Sequence, residues 1–154
     1  MDRVPSDVIY ALTLDGKGGM QPLAAGSEIP GKSPGWLHLD YGNPEAARWL
    51  LQTPLLNDAA KESLLGQSNR PKLVRMGETV LLILRGINHN KDHRPEEMVA
   101  LRIFITPDLI ISSRRRPLLS EQDVFNQLTQ GGGADTPADW LVEVCDALTD
   151  RAGE

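Results

Sequence analysis

Three consecutive arginines, Arg114-Arg115-Arg116, stand where an apolar strand hands over to a helix in DLIISSRRRPLLSEQDVFNQL, Asp108 to Leu128. Arginine carries a planar fork of donors that suits carboxylates, phosphates and other anions. A hairpin turning about Pro107 sets Arg102 roughly opposite Ser112, so Arg102, Arg114 and Arg116 are expected on one side of a sheet. Joined by the N-terminus of the helix that opens at Ser120, Arg102, Arg114, Arg115 and Arg116 form a candidate anion pocket. The other reading is an exposed basic turn whose charge is offset by Glu121 and Asp123. No glycine-rich loop precedes a helix to cradle a phosphate, and no aromatic residue near the triplet offers a platform for stacked bases.

Metal-type ligands gather in His89-Asn90-Lys91-Asp92-His93. Two imidazoles and a carboxylate suit zinc, which makes His89 and His93 candidate ligands, although Lys91 and Arg94 sit among them and a loop fixes no geometry. His38 and Asp40 lie two apart in an alternating stretch and so face one way, the spacing of an oriented histidine, of half a metal site, or of a satisfied pair at a sheet edge. Towards the C-terminus Asp139, Glu143, Asp146 and Asp150 step along one helix face, while Trp140, Leu141, Val144 and Leu148 make an apolar stripe on another. Carboxylates on successive turns lie close together and hard cations prefer oxygen, so the acidic face is a candidate site for hydrated divalent cations; solvated helix faces carry the same pattern. Cys145, close to the apolar stripe, is expected to be a small buried thiol. The chain contains no Gly-x-Ser-x-Gly elbow, no His-Glu-x-x-His and no other nucleophile-and-base signature, so an enzyme is not expected.

The 154 residues suffice for one domain, residues 1–154, and the 40% hydrophobic and 24% charged content is that of a globular chain. A net charge of -5 argues against duplex nucleic acid, whose binding depends on neutralised phosphates. A single cysteine excludes an internal disulfide framework and suits a reducing compartment. No basic stretch leads into an apolar one at the start, so no secretory signal is read there. The longest strongly apolar run, Val80 to Leu84, is far short of the roughly 20 residues that cross a bilayer.

The elements that must position these residues follow from period and punctuation. Strands are expected over Val8 to Leu14, Gln21 to Ala25, Trp36 to Tyr41, Pro71 to Met76, Thr79 to Ile87, Met98 to Ile105 and Leu109 to Ser113. Helices are expected over Pro44 to Gln52 behind an Asn43 cap, Leu55 to Leu65, Ser120 to Thr129, and Pro137 to Arg151 behind Thr136. The order of strands, two helices, four strands and two helices predicts an α/β (α+β) domain, a mixed and mainly antiparallel sheet with helices on its faces.

Four stretches in this order carry a further signal: WLHLDYGNPEAARWLL (Trp36 to Leu51), RPKLVRMGETVLLILRGIN (Arg70 to Asn88), EEMVALRIFITPDLIISSRRRPL (Glu96 to Leu118) and PADWLVEVCDALTDR (Pro137 to Arg151). Together they resemble the cytoplasmic N-terminal domain of CorA-type divalent-metal transporters, and within these the ZntB-like zinc branch. The resemblance implies an αβα sandwich, a homopentamer whose soluble domains form a funnel on the cytoplasmic side of the bacterial inner membrane, and a transmembrane pore in a C-terminal part that this chain lacks. It also implies zinc as the transported ion, no required cofactor, and at most weak binding of divalent cations and chloride. Gly86-Ile87-Asn88 spells that branch's pore motif, but Arg85 and a short strand precede it, so it is read as a strand end. If the last helix faces the lumen of such a funnel, its acids concentrate cations near the pore. The arginines then sit at a wall or subunit contact. The competing expectation is a free-standing cytosolic module that binds an anionic ligand or nucleic acid through Arg114 to Arg116.

Overall fold

The computed structural model describes residues 2–31, 33–67, 73–87 and 98–152. The elements run β1 (Tyr10–Leu14), β2 (Met20–Pro22), β3 (Gly35–Asp40), α1 (Pro44–Gln52), α2 (Asp58–Leu64), β4 (Leu73–Met76), β5 (Thr79–Ile87), β6 (Met98–Ile105), β7 (Leu109–Arg114), α3 (Leu119–Thr129) and α4 (Pro137–Ala152). Local chemistry sets the helix starts. Asn43 accepts the backbone N–H groups of Glu45 and Ala46, and Pro44 supplies a helical φ at the first position. Asn57 caps Ala60, which starts α2 at Asp58 rather than at the expected Leu55; the preceding Leu55 N–H is taken by the Thr53 hydroxyl. The Thr136 hydroxyl accepts from Asp139 at the head of α4.

The sheet has the order β2-β1-β3-β7-β6-β5-β4. Every neighbouring pair is antiparallel except β3 with β7, which run parallel in the middle. Because side chains alternate across a strand, neighbouring residues feed two cores. Trp36, Leu101, Ile103 and Ile110 pack with Val124, Leu128, Trp140 and Val144 of α3 and α4 on one face. Leu37, Leu39 and Ile111 pack with Leu50 of α1 and Ala60 and Leu64 of α2 on the other. The result is the expected αβα sandwich.

One register expectation fails. Arg102 pairs with Ser113, and Ile103 with Ser112. The turn holds four residues between the Ile105–Ile110 pair, closed by Thr106 N–H donating to the Leu109 carbonyl. A slip of one residue moves a side chain to the opposite face, so Arg102 does not share a side with Arg114.

Candidate functional site

On the face covered by α3 and α4, a polar chain runs through an otherwise apolar core. Trp36 Nε1 donates to Ser112 Oγ at 2.9 Å, and Ser112 Oγ lies 2.7 Å from His38 Nδ1. Indole can only donate, so Ser112 Oγ accepts from Trp36, whereas the direction of its bond with His38 follows the ring's tautomer, which also sets whether Nε2 carries a proton. That nitrogen is 3.1 Å from Glu121 Oε1, off the line of a well-directed bond. Arg114 stands between two carboxylates, with Nε 4.0 Å from Glu121 and a terminal nitrogen 3.5 Å from Asp40. Tyr10 stacks on Phe125 at 3.9 Å and on His38 at 5.5 Å. Burial, and then the Glu121 carboxylate, push the Tyr10 phenol up to about 12 against the opposing pull of Arg114.

Ser112, His38 and Glu121 are each 0% exposed. Their order resembles a nucleophile, a base and an acid, yet no substrate can reach the serine, which is also committed to Trp36. The cluster ties α3 to three strands instead. His38 and Asp40 share a face as expected, but the expected sheet edge is wrong: β3 lies between β1 and β7. His38 bonds Ser112 through Nδ1, and its Nε2 lies beside Glu121 rather than Asp40. Sequence reasoning missed Tyr10, Trp36 and Ser112 as members, and took Glu121 for a surface counter-charge. A signal was present in the two serines that interrupt the apolar run of β7.

The arginines therefore separate. Arg114 is engaged on the α3 face. Arg115 is largely exposed, lies against Gly42 and approaches Asp40 at 3.9 Å. Arg102 is buried on the other face, donates to the Ser63 carbonyl at 3.0 Å and sits 5.8 Å over the Tyr41 ring. There it serves the C-terminal end of α2, where cations are favoured, while Ser113 Oγ donates to Leu64 next door. Arg116 also has a partner.

A groove of about 500 Å³ opens between α3 and α4, with Asp123, Gln127, Glu143, Asp146, Asp150 and Arg151 among its walls. Asp139 lies on the same helix but not on this groove. Burial, followed by the charges of Asp139, Asp135 and Asp146, raises the carboxyl of Glu143 above its ordinary value. Arg151 fills one end through two bonds to Asp123, at 2.9 and 2.8 Å. Among the described residues no three His, Cys, Asp or Glu side chains are gathered closely enough to hold a metal ion. The groove offers negative potential rather than a closed ligand set.

His89 and His93 lie outside the described residues. Cys145 is exposed, contrary to the expected buried thiol, because it points away from the stripe of Trp140 and Val144. Gly86 is within β5, where a Cβ would meet Leu148 and Leu118 at 2.6 and 2.8 Å. Among the described residues no helix is long and apolar enough to cross a membrane.

Residues 31–154 match the family model described as "CorA-like Mg2+ transporter protein". The chain belongs to the CorA-like family. Among CorA-like relatives, a zinc transport protein ZntB of Yersinia enterocolitica is 44% identical over 97% of this chain and 46% of its own length. One of Cronobacter sakazakii is 45% identical over 96% of this chain and 45% of its own length. The chain thus spans about half the length of these relatives. The full-length CmaX protein superposes with a TM-score of 0.86 at 35% identity, over 99% of this chain and 48% of that one. The ZntB cytoplasmic domain of Vibrio parahaemolyticus gives 0.81 at 23% identity, over 96% and 59%, a likeness of fold.

Proposed function

We propose that the chain is the cytoplasmic, regulatory portion of a zinc or related divalent-cation transporter of the bacterial inner membrane. It works as a homopentamer, and the pore lies in the part of its relatives that this chain does not span. The observation that carries this reading is the 44% identity with a zinc transport protein along 97% of the chain. Zinc is the transported substrate, and no resident cofactor is needed. Five-fold repetition turns a modest local charge into a ring. Asp139, Glu143, Asp146 and Asp150 of α4 would then raise the cation concentration at the pore entrance without holding any one ion tightly. Arg115 and Arg116 would lie at a wall or subunit contact, where chloride can add to the counter-charge of Asp40. No catalytic step is assigned, since Ser112 is sealed in the core.

The test is zinc flux into vesicles that carry the protein of the full reading frame. Flux is expected, and replacing the four α4 acids by their amides should slow it without abolishing it. A reading frame that ends at Glu154, or a membrane protein that conducts no divalent cation, would overturn the proposal. Calorimetry on this chain alone should find weak zinc binding, and a submicromolar site would overturn that expectation.

A further inference from the structure

Among the described side chains of α4, the last in the apolar core is Leu148. Thr149 and Asp150 beyond it are exposed, and a helix end without apolar anchorage frays. Arg151 reaches across from this turn, donating from Nε to Asp123 Oδ2 at 2.9 Å and from a terminal nitrogen to Oδ1 at 2.8 Å. Two parallel bonds from a planar fork fix direction as well as distance. Asp123 follows Glu121 by two residues on α3, so the two carboxylates leave the helix on different sides. Glu121 meets His38 and Arg114 of the sheet, and Asp123 meets α4. The start of α3 is a two-headed brace that runs from the sheet to the end of α4.

We propose that this brace sets the direction in which the end of α4 leaves the domain, with Asp123 and Arg151 as positioning residues. The inference rests on the proposed function, because an aimed α4 matters where the chain continues towards a membrane pore. The apolar stripe fixes α4 as far as Leu148 and leaves the last turn free to splay. The guanidinium ties that turn to α3, which Glu121 holds on the sheet. The Arg151 and Asp123 side chains are 29% and 40% exposed, so the pair contributes orientation rather than much stability and weakens as salt rises.

The experiment places spin labels at Gln21 on β2 and Thr149 on α4, in the chain with Cys145→Ser, and measures the distribution of distances between them. A narrow distribution is expected. Asp123→Ala should broaden it with little change in melting temperature, and exchanging the charges, Asp123→Arg with Arg151→Asp, should narrow it again. An unchanged distribution in Asp123→Ala overturns the brace. So does broadening that comes with a large loss of melting temperature and that the exchanged pair does not repair. Zinc flux is read separately: flux with unmoved label distances removes the brace and keeps the transporter, whereas broadening without flux in the parent protein does the reverse.

Discussion

Replacing Glu121 by leucine removes the carboxylate that lies 3.1 Å from Nε2 of a fully buried His38. A buried polar group left without a polar neighbour costs about 1–3 kcal/mol. Arg114 keeps Asp40 at 3.5 Å and is 12% exposed, so it can turn towards solvent and adds little to that cost. Replacing Arg114 by methionine is expected to be worse. It strands a carboxylate that is 1% exposed without its cation, and breaking a buried pair from one side costs about 3–5 kcal/mol. At about 2–4 °C per kcal/mol for a chain of this size, Arg114→Met should lower the melting temperature on the order of 10 °C. The double variant should lose less than the sum of the two, because it leaves neither charge unpaired. Urea unfolding of the four proteins yields these free energies directly. Two single losses below about 1 kcal/mol that simply add in the double variant would show that the cluster does not hold α3, and the reasoning would fail.

Gly86→Ala forces a methyl group against Leu118 and Leu148 and should cost about 1–3 kcal/mol by overpacking, seen as a lower denaturation midpoint. Asn43→Ala removes the acceptor for Glu45 and Ala46 N–H and should cost about 1 kcal/mol in the same assay, with Asn43→Asp nearly neutral. Glu143 has its carboxyl raised by burial and neighbouring acids, so the folded state holds its proton more tightly than the unfolded chain. Stability from this group is therefore full below the ordinary glutamate range, falls as pH rises to the higher folded value, and stays low above it. Glu143→Gln should stabilise the protein at neutral pH and lose that advantage in acid, a difference that melting curves at the two pH values would reveal.

The elements legible in the sequence were those with local causes. Helix α1 occupies its expected residues because Asn43 and Pro44 dictate the start, and β5 and β6 match because their apolar runs are long. What escaped depended on distance or on parity. The bond between His38 and Ser112 joins residues 74 apart, and nothing near either predicts the other. Arg102 was placed on the wrong face because a turn one residue different reverses the whole strand, an error that hydrophobic pattern could not correct in a strand buried on both sides. The acidic face of α4 was visible in its spacing, yet its groove depends on how α3 packs beside it, and that packing is not written in the spacing of either helix alone.

The parallel pairing of β3 with β7 also bears on how the chain reaches this state. On either side of it the sheet consists of antiparallel partners close in sequence: β2, β1 and β3 in one half, and β7, β6, β5 and β4 in the other. Each half can zip up early, whereas joining them closes a loop that contains α1, α2 and three strands, and such closures are slow. His38 sits directly across that seam from Ser112. The histidine ring therefore acquires its partners at the docking step itself, so its resonances in a refolding experiment would time the moment at which two half-sheets become one protein.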